Sequence, residues 1–143
     1  MENSKTNITS EKLAAVIARI LDDKQAEDIK ILNISNVSSI GDYFVICSSD
    51  AQTHTKALTG YVREKIKKLF GRLPSGEEND NKNRWNLLDY GDVIVHILHS
   101  EERERYALER FWSHACLMSE SGWKELSKEY TDYKELTEGE NIC

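Results

Sequence analysis

The chain has 143 residues, of which 39% are apolar and 31% charged, and its net charge is −6. That length and balance suit one soluble globular domain whose core needs no disulfide or metal staple. No apolar run approaches the ~20 residues that span a bilayer, and the polar start "MENSKTNITSEK" has neither the apolar core nor the arginine-rich pattern of a targeting segment.

A cytoplasmic location is therefore expected. Cys47, Cys116 and Cys143 are far apart and form no C-x-x-C pair, which argues against a disulfide framework or a zinc site and fits a reducing compartment. Residues 119–143 hold three Lys against seven Asp or Glu. No basic stripe stands out, so direct binding to DNA or RNA is not expected. A mildly acidic surface suits a basic protein partner better.

The first predicted element is a helix in "TSEKLAAVIARILDDKQ", with Thr9 or Ser10 as N-cap and Leu13, Val16, Ile17, Ile20 and Leu21 on one face. Residues 28–35, "DIKILNIS", read as a strand, residues 38–42 as a turn, and "YFVICSS" at 43–49 as a strand buried on both faces. Ser49 or Asp50 is placed to cap a second helix running to about Phe70, with Leu58, Tyr61, Val62, Ile66 and Leu69 on its inner side. Gly71 can end that helix. A short strand around Arg72–Leu73 and a polar loop follow. "WNLLD" and "DVIVHIL" then form a hairpin whose tip, Tyr90-Gly91, calls for positive φ at the glycine. A helix from about Ser100 carries Leu108, Phe111, Trp112 and Ala115 at core spacing. Beyond it, Trp123, Leu126, Tyr130 and Tyr133 recur at helical spacing on an acidic segment, a stripe expected to dock on the body or to order on a partner. The division expected is a domain over 1–118 and an acidic helical extension over 119–143. The order of elements gives an α+β fold: a two-layer sandwich in which helices pack on a mixed sheet of about five strands.

Few residues have the spacing that catalysis needs. Asp89 and Asp92 lie three apart, so on a continuing strand they would face opposite sides. They are read as turn aspartates rather than metal ligands, with a partner-binding role left open. His96 shares its strand face with Ile94 and Leu98 and is read as a hydrogen-bonded packing residue. Cys47, inside an apolar strand, is an inert small hydrophobe. The glycines make no phosphate-binding pattern. No catalytic residue, metal or cofactor is expected. Trp112 reads as core. Tyr90, between two aspartates at a turn tip, reads as an exposed anchor for a basic partner. Arg105 and Glu109 form an i, i+4 pair that is either a solvated helix face or part of a binding surface.

"SSIGDYFVICSS", "WNLLDYGDVIVHIL" and "RERYALERFW" stand in the order and spacing of the ribosomal silencing factor family, RsfS or Iojap, which the chain resembles over about residues 10–116. The resemblance implies a small domain related to the nucleotidyltransferases without their active site. The G-S and D-x-D motifs of true nucleotidyltransferases are not visible here. It also implies a function without catalysis: binding the fourteenth large-subunit ribosomal protein, blocking the joining of large and small subunits, and repressing translation in starvation or stationary phase. Some members are homodimers. The family's characteristic positions are here Asp42, Trp85, Asp89, Gly91, Asp92, His96, Arg105, Tyr106, Glu109 and Trp112. The surface expected to meet the partner comprises Trp85, Asp89, Tyr90, Asp92, His96, Arg105, Tyr106 and Glu109. The loop "SGEENDNKNRW" is more polar than the family's compact Glu-Gly loop, and the chain runs on past the family's usual end. An alternative, a phosphoryl-transfer enzyme, would need paired carboxylates on one strand face and bound Mg²⁺. A further reading is an adaptor that works through its acidic tail.

Overall fold

The computed structural model describes residues 8–79 and 81–130. Helix α1, Ser10–Asp23, begins where the Thr9 hydroxyl accepts a hydrogen bond from the Lys12 amide (3.2 Å), and it buries Leu13, Val16, Ile17, Ile20 and Leu21. Strands β1 (Glu27–Asn33) and β2 (Tyr43–Ser49) follow. Helix α2, Gln52–Phe70, ends at Gly71, whose φ of 69° supplies the left-handed cap expected of a glycine there. Strands β3 (Gly76–Asn79), β4 (Trp85–Asp89) and β5 (Val93–His99) complete the middle of the chain. Two short helices, α3 (Ser100–Tyr106) and α4 (Leu108–Phe111), lead to strand β6 (Cys116–Met118) and helix α5 (Glu120–Leu126).

Among the described residues the sheet has six strands, in the order β3-β4-β5-β2-β1-β6. β2 and β5, at its centre, run parallel; the other neighbouring pairs among the described strands are antiparallel. Side chains alternate across a strand, so each central strand serves two cores. Val45, Cys47, Leu88, Val93, Val95 and Ile97 face the larger core, which α1 and α2 close with Leu13, Ile17, Leu58, Val62 and Ile66. Leu32, Phe44, Ile46, Ile94 and Leu98 face a smaller cluster, against which Trp85, Leu87, Leu108, Trp112 and Ala115 pack half-buried. The mixed α+β sheet with packed helices is therefore as expected, with one strand more than the five anticipated.

Several local expectations change. The short strand lies at Gly76–Asn79 rather than at Arg72–Leu73, because it is the partner of β4 in register Gly76↔Asp89. The N-cap of α2 is Ala51, with no side-chain cap bond. Ser49 instead hydrogen-bonds Thr55 inside the core, and Asp50 pairs with His54 (3.1 Å). Tyr61 lies on the outer side of α2 rather than the inner. The helix expected from Ser100 is broken at Ala107, whose φ is 47°. Helix α5 packs on α1, and Trp123 is 3% exposed within the larger core, so its apolar stripe docks on the body. Tyr133 lies outside the described residues.

Candidate functional site

The β4–β5 hairpin turns on local chemistry. The Asp89 carboxylate accepts a hydrogen bond from the Gly91 amide (2.7 Å), Gly91 has φ 92°, and the Tyr90 amide donates to the Val93 carbonyl (2.9 Å). A distant residue then fixes the tip. Arg72 donates to the Tyr90 carbonyl (2.7 Å) and to the Asp92 carboxylate (3.0 Å). The amides of Asp42 and Tyr43 donate to the Asp92 carbonyl, which ties the tip to the start of β2. Asp89 and Asp92 thus serve the turn and its arginine. Among the described residues, no group of three or more His, Cys, Asp or Glu could hold a metal ion.

Tyr90 is not the exposed anchor that its neighbours suggested. It is 4% exposed and belongs to the larger core, and burial pushes its phenol up to about 12. The reason is alternation: Asn86, Leu88 and Tyr90 point to the inner face of β4. Trp85, Leu87 and Asp89 point to the other.

That other face holds most of the remaining motif residues. The Trp85 indole N–H donates to His96 Nδ1 (3.2 Å), so the neutral ring carries its proton on Nε2. His96 is 6% exposed, packs edge-on against Phe44, and has its pKa lowered to about 4 by desolvation. Trp112 also meets Phe44 edge-on (5.1 Å). Trp85 stacks at a tilt on Tyr106 (4.8 Å), and Tyr106 is 46% exposed. These two rings, with Leu87, Glu78, Asn79 and Glu102, line an open hollow of about 460 Å³.

The arginines and glutamates of "RERYALER" pair differently from their spacing. Arg105 reaches Glu102 (3.4 Å) rather than Glu109. Glu109 is held by Arg103, which donates to it from Nε (2.9 Å) and Nη2 (2.6 Å), and from Nη1 to Ser48 Oγ (2.9 Å). Burial alone would raise the Glu109 pKa, but the bonds from Arg103 outweigh it and leave the carboxyl below its usual range. Glu109 therefore has its cation inside the molecule. Glu102 is buried between Arg84 and Arg105. The structure thus brings Trp85, His96 and Tyr106 together, leaves Arg105 at the surface, and sets Asp89, Tyr90 and Asp92 at the far end of the hairpin. Arg72, Arg103 and Leu87 were not singled out from the sequence. Leu87 was within reach, two residues from Trp85 on the same strand face; the arginines were not, since their partners are distant in sequence.

A profile of the family described as "Ribosomal silencing factor during starvation" matches residues 7–141. The chain belongs to the ribosomal silencing factor family. It is 33% identical over 110 residues to Ribosomal silencing factor RsfS of Bacillus subtilis (strain 168), covering 77% of this chain and 92% of that one. It is 35% identical over 109 residues to RsfS of Zymomonas mobilis, covering 76% and 81%. A crystal structure of a protein from Chromobacterium violaceum superposes with a TM-score of 0.71 at 27% identity, over 74% of this chain and 88% of that chain. Both of these curated relatives are named as silencing factors. No helix among the described residues is long and apolar enough to cross a membrane.

Proposed function

We propose that this protein silences ribosomes by binding the fourteenth large-subunit ribosomal protein at the subunit interface, so that the small subunit cannot join and translation falls under starvation. Membership of the ribosomal silencing factor family supports a ribosomal target. The observation that carries the choice of surface is the hollow floored by Trp85 and Tyr106. It offers half-exposed aromatic area, the kind of surface that anchors protein interfaces. Its rim bears the Glu78 carboxylate, which has no cationic partner among the described residues, and Asp89 continues the same strand face. An apolar side chain flanked by Lys or Arg fits such a site, and basic partners are common among ribosomal proteins. Trp85, Leu87, Tyr106 and Glu78 would make the contact. His96 would hold the Trp85 ring, while Tyr90, Asp92 and Glu109 would keep the surface in shape.

Silencing by occlusion needs affinity and bulk and no bond chemistry. A standard interface covers roughly 800 Å² per partner, which a domain of this size can supply. Sedimentation with isolated subunits tests the reading. The protein should travel with the large subunit and not the small one. A Tyr106→Ala, Glu78→Lys variant with wild-type circular dichroism should bind at least tenfold more weakly. Binding to the small subunit, or equal affinity of variant and wild type for the large subunit, would refute it.

A further inference from the structure

Helix α2 carries five basic side chains and one acidic in a chain of net charge −6. Lys67 and Lys68 lie in its last turn, where they favour the helix dipole. That does not account for Lys65, nor for what the fold adds to it. Lys24, the C-cap of α1, is brought beside α2 when its carbonyl accepts a hydrogen bond from His54 Nε2 (3.0 Å). Its ammonium then rests 4.5 Å from the centroid of the Tyr61 ring. Tyr61, Lys65 and Lys68 recur at i, i+4 and i+7 and share one edge of the helix. With Ile20, Lys24 and Glu64 they line an open hollow of about 270 Å³ between α1 and α2.

The charge state of this hollow differs from that of much of the surface. Lys12, Lys30, Arg63, Arg72, Arg103, Arg105 and Lys124 each pair with a carboxylate. Among the described residues, Lys24, Lys65 and Lys68 have no carboxylate within ion-pair distance, although Glu64 lines the same hollow. Three unneutralised ammonium groups around a tyrosine that is 44% exposed form a concave cationic site on an acidic protein.

We propose that this hollow is a contact site for the phosphate backbone of RNA. Each lysine that replaces condensed counterions at a phosphate releases them, which gives affinity without sequence preference. The cation–π contact with Tyr61 orders the Lys24 ammonium before a phosphate arrives. Helices α1 and α2 cover the sheet face opposite the one that bears Trp85 and Leu87, so RNA and the protein partner can be held at once. The phosphate is that of RNA rather than DNA, an assignment that rests on the ribosomal function proposed above. The binding assay uses no ribosomes, so the failure of either claim leaves the other standing.

Fluorescence anisotropy with a labelled RNA hairpin, titrated with the full chain across a KCl series, measures the site. The wild type should bind, with log affinity falling linearly in log salt. Lys65→Glu, Lys68→Glu should weaken binding at least tenfold and flatten the salt slope by about 2, since each phosphate left without its lysine removes ~0.9 from the slope. Lys24→Gln should flatten it by about 1 on the same basis. Lys82→Glu, an exposed charge change on the β3–β4 connection, should stay within about twofold of the wild type, as expected for a lysine outside the site. Equal binding by wild type and double variant, or an equal loss with Lys82→Glu, would overturn the proposal. So would lysine-dependent binding to phosphatidylglycerol vesicles with none to the hairpin, which would make the hollow a lipid site.

Discussion

Gly91 turns the hairpin at φ 92°, and a Cβ added there would meet no atom within 4 Å. The cost of Gly91→Ala is therefore conformational alone, about 1–2 kcal/mol for an L-residue in left-handed backbone. Urea denaturation should show that loss, with a smaller one for Gly91→Asn; an unchanged midpoint would contradict it. His96 makes stability depend on pH. Its folded pKa of about 4 lies below the unfolded value of 6.5, so the unfolded chain binds the proton first. The contribution of neutral His96 is complete above pH 6.5 and declines as pH falls towards 4, by at most about 3 kcal/mol. His96→Leu should lose less stability than the wild type between pH 6.5 and 4, and parallel curves would show that burial of the ring is not the cause. The turn itself was legible because Asp89 and Gly91 act on their own backbone. The burial of Tyr90 was not legible from its flanking aspartates, which suggest exposure, whereas the alternation Asn86, Leu88, Tyr90 sets it inward.

Helix α5 shows how an acidic segment joins a core. Trp123 is buried in the larger core beside α1, the Ser127 hydroxyl accepts from Arg19 Nε (2.7 Å), and Tyr130 meets Phe70 edge-on (5.3 Å). Trp123→Ala should cost about 3–5 kcal/mol, as for a large aromatic deleted from a core. Truncation after Cys116 should lower the melting temperature further, since it removes most of β6 as well as α5. A melting temperature unchanged in both would show that these elements do not support the body. The stripe was legible from its spacing. The break between α3 and α4 was not, because Ala107 is a strong helix former by type and nothing local in the sequence signals its φ of 47°. Strand β6 was missed for a different reason: three residues are too few to show alternation.

In its outline the fold could be read from the chain, since the two long helices and the central strands have strong periodicity. Charge segregation could not. Lys24 and Lys68 are far apart in sequence, and only the packing of α1 on α2 joins them. The same holds for the Trp85–Tyr106 hollow, whose walls come from β3, β4 and α3. The molecule has an aromatic, acid-rimmed surface on one face of the sheet and a cationic hollow on the other, and occlusion is the mode of action proposed for it. On that proposal, bound protein excludes the small subunit. Large subunits are incubated with increasing amounts of the protein, small subunits are added, and the yield of joined ribosomes is measured by sedimentation. This yield should fall in proportion to occupancy of the large subunit, and a folded Tyr106→Ala, Glu78→Lys variant should lower it much less. Joining that is unchanged when every large subunit carries the protein would contradict it.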